Sequence, residues 1–161
     1  MSSTEDWDSR VAALWAALDA FDEAEFRARI EALVGELPPG DPVGLFELAS
    51  ANDSTGRPEL AEPLYRKALE SGLSGYRRRR ALIQLASTLR NLGHPEQSVA
   101  LLTAERERQE SDELDDALDA FLALALVDTG HAREAAGLAL AALAKHLPRY
   151  NRSLAYYATH L

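Results

Sequence analysis

Three glycines recur at an interval of 37 residues, Gly56, Gly93 and Gly130, and each stands at the same point of a similar local sequence. Behind them run Arg57-Pro58-Glu59-Leu60-Ala61, His94-Pro95-Glu96-Gln97-Ser98 and His131-Ala132-Arg133-Glu134-Ala135. In front of them Leu48-Ala49, Leu85-Ala86 and Leu122-Ala123 keep the same register. A period of this length marks an array in which each unit is one supersecondary element, too small to bury its apolar face without a neighbour. Glycine suits the left-handed conformation that ends a helix. Pro58 and Pro95 then fall at a first helical position, where a missing N–H has no partner to lose. Each unit therefore reads as helix, glycine turn, helix.

The flanking residues agree with that reading. Ala49, Ala86 and Ala123 allow the two helices of a hairpin to approach closely, with leucines filling the space beside them. The second helices carry Leu64-Ala68, Val99-Leu102 and Ala135-Ala139-Leu143 at spacings of three and four, the stripe of an amphipathic helix. Breakers between Gly72 and Gly75, and the polar stretch from Gln109 to Asp112, separate the units. Pro63 lies inside a second helix, removes one backbone hydrogen bond and is expected to bend it. Upstream, Trp7, Val11, Leu14, Trp15, Leu18 and Phe21 recur at helical spacing, and Asp22 with Glu25 reads as a capping box opening a helix over 23–37. The segment Pro38-Pro39-Gly40-Asp41-Pro42 is read as a bend. After Pro148, the residues Tyr150, Leu154, Tyr157 and Leu161 are predicted to share one face of a helix that caps the stack. The expected fold is all-α, an α-α superhelix of antiparallel helical hairpins with about nine helices. It is read as one domain over 1–161, comprising a hairpin at 5–37, repeats at 42–72, 76–109 and 113–147, and a capping helix at 149–161.

Composition narrows the chemistry. A net charge of -9 opposes phosphate backbones and anionic lipids, so neither nucleic acid nor membrane is an expected partner. The run Arg77-Arg78-Arg79-Arg80 does not change this, because four consecutive helical residues point in four directions and no aromatic residues alternate with them. The chain has no cysteine, which excludes disulfides, thiolate zinc sites and cysteine nucleophiles. His94 and His131 occupy the same turn of successive repeats, and His146 and His160 lack the spacing of a zinc helix, so no metal site is expected. Glu105, Glu107, Glu110, Asp112, Glu113, Asp115 and Asp116 lack the spacing of a calcium loop and read as a solvated face near a helix start. Nucleophile elbows, phosphate loops and dinucleotide fingerprints are missing, so the expectation is no enzyme, no catalytic residue and no cofactor. The opening residues Met1 to Arg10 lack the regions of a signal peptide, and the longest apolar run, Ala120 to Val127, is too short to span a bilayer. A soluble, cytoplasmic protein is expected.

Leu45-x2-Leu48-Ala49 and Ala61-x3-Tyr65, followed by Ala68, resemble the tetratricopeptide repeat signature of a leucine and small residue in one helix and Ala-x3-aromatic in the next. The second unit has Ser98 and Leu102 at the latter pair, and the third has Asp119 where a large residue is expected but keeps Ala135 and Pro148. The run from Ala81 to Gly93 and the run from Phe121 to Leu126 are similar to the small bacterial group-five tetratrico peptide repeat proteins, over about Phe46 to Tyr157. That resemblance implies a non-catalytic protein-interaction module or scaffold that forms a homodimer, and it brings no catalytic residue with it.

In such a stack the first helices line a groove. By register its row comprises Glu47, Ser50 and Asp53, then Gln84, Ser87, Arg90 and Asn91, then Phe121, Leu124 and Asp128, a mixture able to orient a peptide of another protein. The plainer reading pairs Asp53 with Arg90 and leaves the other polar residues solvated. Lys67 and Lys145, the two lysines, are off this row, which disfavours a clamp for terminal carboxylates. Trp7, Trp15, Phe121 and Tyr157 are expected as exposed anchors for a partner or second copy. The alternative function is a peptide- or small-ligand-sensing regulator acting through Gln84, Ser87 and Arg90.

Overall fold

A computed structural model describes residues 3–108 and 110–161 and contains nine α-helices and one short 3-10 helix, with no strand among the described residues. The helices are α1 (Ser3–Ala16), α2 (Glu23–Val34), α3 (Pro42–Ser54), α4 (Pro58–Glu70), α5 (Gly75–Asn91), α6 (Pro95–Glu107), α7 (Asp115–Asp128), α8 (Ala132–Ala144) and α9 (Asn151–Ala158). The 3-10 helix Leu18–Ala20 follows α1. Gln109, expected at the start of the α6–α7 connection, lies outside the described residues. The chain divides into two units, one ending at Arg78 and the other beginning at Arg79.

Helix starts and stops follow from local chemistry. Asp22 Oδ1 accepts the Glu25 N–H at 2.8 Å, and Asp41 Oδ1 accepts those of Val43 and Gly44 at 2.9 and 3.1 Å, so two helices begin on carboxylate caps. At the other end, Gly93 has φ +85°. Its N–H donates to Arg90 O at 3.1 Å, and the His94 N–H donates to Leu89 O at 2.9 Å. These two bonds satisfy carbonyls that the end of α5 would leave without partners. The same pair recurs at Gly56, toward Asp53 and Asn52, and at Gly130, toward Val127 and Leu126. The 37-residue period of the sequence is thus a period of hydrogen bonds. α4 continues from Pro58 to Glu70 across Pro63 without a break.

In the first unit α1 packs on α2, α2 on α3 and α3 on α4. Phe26 and Ile30 are fully buried, and Trp15 meets Phe26 edge to face at 4.9 Å between centroids. Ala49 and Ala61 are fully buried in the α3–α4 hairpin, beside Phe46 and Tyr65, whose rings lie 6.3 Å apart. Trp7, expected as an exposed anchor, is buried instead, and its Nε1 donates to Leu33 O at 2.8 Å. The indole N–H gives a tryptophan one polar tip to satisfy, and the end of α2 supplies the carbonyl.

In the second unit Ile83, Ala86, Leu102, Leu118, Leu122, Ala123, Leu126 and Ala135 form one apolar cluster contributed by α5, α6, α7 and α8. α8 departs from the predicted stripe: Ala139 and Leu143 are exposed, and the buried side runs through Ala135 and Ala142. Two four-residue steps rotate a stripe by about 80° around an α-helix, which carries Leu143 off the inner face. α9 packs on α8, but the predicted Tyr150, Leu154, Tyr157, Leu161 face is not its buried one. Ala158 is buried, Leu154 is half-buried, and the other three are exposed. The cause is Gly137 in α8, where a Cβ would stand 2.8 Å from Ala158 O. The two backbones meet there, and a ring cannot fit between them.

No atom lies within 4 Å of a Cβ built on Gly93, so substitution there strains the backbone alone. Gly93→Ala is expected to lower stability by about 1 kcal/mol, read as a shift in the urea midpoint at unchanged slope, with Gly93→Asn losing less because asparagine tolerates the left-handed region.

Candidate protein-interaction site

In the first unit the predicted row has been drawn into the interior. Glu47 is only 3% exposed, because Trp15 Nε1 donates to its Oε2 at 2.7 Å and Arg77 Nε stands 3.7 Å from its Oε1. Arg77 also binds Asp8 at 2.7 Å. Ser50 is buried, with Tyr65 Oη 3.5 Å from its hydroxyl and 3.4 Å from Asp53 Oδ2. Glu47 and Ser50 are therefore interior residues and not groove surface. Periodicity along α3 gives their direction, but not that an aromatic residue from α1 covers it. Trp15 is itself half-buried, so it is not an open anchor either.

In the second unit the predicted residues lie on α5 and α7 and are half-buried or exposed. Arg90 Nε donates to Asp128 Oδ2 at 2.5 Å, which ties the ends of the two helices together. Gln84 and Ser87 are half-buried and Asn91 is exposed. Phe121 is half-buried against the apolar cluster, and Leu124 is 45% exposed. Val127, 53% exposed and missing from the sequence prediction, extends the apolar strip. Its signal was available, since it follows Leu124 by three positions on the same helix. The Gln84 side-chain oxygen is buried with no hydrogen-bond donor.

The charged residues divide between interior and surface. Arg79 is buried, bound to Asp112, to Asp115 at 2.7 Å, and facing Glu105 at 3.8 Å. Glu105 is 3% exposed and occupies the repeat position held by the buried Ala68 in α4 and Ala142 in α8. The acidic cluster is consequently not a solvated face throughout: part of it wraps one arginine. Burial alone lowers the Arg79 pKa, but the carboxylates of Asp115 and Asp112 outweigh it and raise the value above the ordinary one. The Ser111 hydroxyl, then Arg79, hold Asp115 below the usual carboxylate range. Asp116 is lowered by Lys145 at 2.6 Å and His146 at 2.7 Å. His94 and His131 stand at the helix-entry positions of α6 and α8, without side-chain capping bonds. Among the described residues no group of three or more His, Cys, Asp or Glu is placed to hold a metal ion. No helix among them is long and apolar enough to cross a membrane.

Hairpins of paired helices, repeated at a fixed period and each closed by one glycine turn, define a helical-repeat protein. The family model for the tetratrico peptide repeat matches residues 42–161, and the chain belongs to that family. Repeats of this kind generally mediate protein–protein interaction and generally act as non-catalytic scaffolds. No match to the chain was found among curated proteins or among solved structures.

Two outcomes follow from the ion network. Arg79→Ala takes from the buried Glu105 one of its two arginine neighbours, Arg108 being the other at 3.8 Å, and removes the cation bound by Asp112 and Asp115; it should cost about 3 kcal/mol in urea unfolding, whereas Arg79→Met combined with Glu105→Leu should recover most of it. Asp115 and Asp116 bind protons less readily folded than unfolded. Their contribution is therefore complete above the ordinary aspartate pKa of about 3.9 and disappears as the pH falls through their lowered folded values. Urea midpoints measured from pH 6 downward should fall below about pH 4, and less steeply in Asp116→Asn.

Proposed function

We propose that this chain is a non-catalytic protein-interaction module that associates with a second copy of itself through the α5–α7 row of its second unit. The observation that carries the reading is the exposed pair Leu124 and Val127, 45% and 53% exposed, beside the Arg90–Asp128 ion pair. This patch holds one cation and one anion, so two copies can meet about a two-fold axis without the repulsion that a net charge of -9 imposes elsewhere. Leucine and valine supply apolar area to bury, and Arg90 and Asp128 can exchange partners across the axis and fix the register. Protein is favoured over nucleic acid by the same negative field.

A second reading, a regulator that senses a peptide or small ligand, is favoured by Gln84 alone. Its buried side-chain oxygen accepts no bond in the isolated chain, and an N–H donor from a bound segment would satisfy it.

Sedimentation equilibrium across concentration tests the first reading. A dimer is expected whose dissociation constant rises at least tenfold in Leu124→Asp, a loss of about 1.4 kcal/mol or more. A monomer at every accessible concentration overturns it.

A further inference from the structure

Charge is distributed unevenly along the sequence. From Thr129 onward the chain holds four of its 17 Lys and Arg but a single one, Glu134, of its 26 Asp and Glu, and no acidic residue follows Lys145. Lys145 and His146 are both bound by Asp116. Arg149 and Arg152 are exposed and engage no carboxylate among the described residues. Around them lie the most exposed aromatic side chains of the chain, Tyr150 at 78%, Tyr156 at 60% and Tyr157 at 63%.

Arg149 and Tyr150 stand in the bend that leads into α9, and the others lie on that helix. Arg152 and Tyr156 on α9 and His160 just beyond it follow at four-residue steps, turned away from the buried Ala158, with the exposed Tyr157 on the flank. Tyr156 stacks on His160 at 4.2 Å and meets Tyr157 edge to face at 5.8 Å, so the rings are already ordered with respect to one another. Tyr150 leads into the helix at φ +66°, a left-handed conformation rare for a bulky L residue. The isolated chain gains no burial of that ring in return. Tyrosine and arginine are the residue types that dominate binding hot spots, and preordered rings lose little freedom on contact.

We propose that this tyrosine–arginine face of α9 is a docking surface for an acidic segment of a partner protein, carboxylates pairing with Arg149 and Arg152 and apolar side chains covering Tyr150, Tyr156 and Tyr157. A symmetric contact with a second copy would set Arg149 and Arg152 against themselves. A nucleic acid needs free ring faces, while Tyr156 already lies against His160, and its dense charge meets the field of a -9 protein that a segment with a few carboxylates meets only weakly. The surface is built from other elements than the α5–α7 row, and neither depends on the other.

The test is fluorescence anisotropy of the full chain with a labelled 12-residue peptide holding three glutamates among leucine and serine, alongside the same peptide with lysine for glutamate and a 12-nucleotide oligothymidylate. Micromolar binding of the glutamate peptide alone is expected, weakened at least tenfold in Arg149→Glu with Arg152→Glu and in Tyr156→Ser with Tyr157→Ser, and unchanged in Leu124→Asp. All four substituted positions in α9 and its preceding turn are exposed, and circular dichroism checks that the variants keep their helix. Wild-type NMR titration should move the tyrosine ring signals first, independently of any variant. No binding at millimolar peptide, equal affinity in the α9 variants, equal binding of the oligonucleotide, or dissociation of a self-associated form by the arginine substitutions would each overturn the proposal.

Discussion

The architecture rests on a left-handed residue placed at one point of each repeat. At Gly56, Gly93 and Gly130 the backbone turns out of one helix while two amide groups reach back to its last carbonyls, and the next helix begins two residues later. That geometry fixes where a hairpin folds, and so which side chains of its two helices can touch. Ala49 and Ala61 are then both fully buried in one hairpin, and Ala86 and Ala123 join Leu102 and Ala135 in one cluster. A shift of the turn by one residue would rotate every side chain of the following helix by about 100° and scatter those contacts.

Local features of this kind were legible in the sequence because each is decided within a few residues. Gly93 with Pro95, Asp22 with Glu25, and the break around Asp41 and Pro42 all fall where helices end or begin. Features decided by a distant segment were not. Glu47 looks like groove surface until Trp15, 32 positions earlier, is found donating to it. Trp7 looks like an exposed anchor until Leu33 O accepts its N–H. The buried face of α9 is decided by Gly137, which belongs to another helix. Of the predicted interaction row, Asn91, Leu124 and Asp128 are exposed and Gln84, Ser87, Arg90 and Phe121 half-buried, while Glu47 and Ser50 are buried.

Polar residues inside the two units act as selectors of pairing. Glu105 occupies a position where other repeats hold alanine, and its buried carboxylate is faced by Arg79 from the preceding helix and by Arg108 just past its own, each at 3.8 Å. A neighbour lacking that arginine would leave the buried carboxylate with one cation fewer, so the α6 surface favours the helix that brings it. Repeats built on nearly the same scaffold are at risk of stacking in the wrong order, and one buried ion pair distinguishes this hairpin from its neighbours. Glu47, held by Trp15 and Arg77, plays the same part in the first unit.

The seat of α9 on α8 is made by main chain against main chain, at Gly137 and the carbonyl of Ala158. A joint of that kind makes almost no demand on the residues that point the other way. Substitution on the outer side of this helix therefore leaves its attachment in place, so the fold holds a constant frame under one exchangeable label.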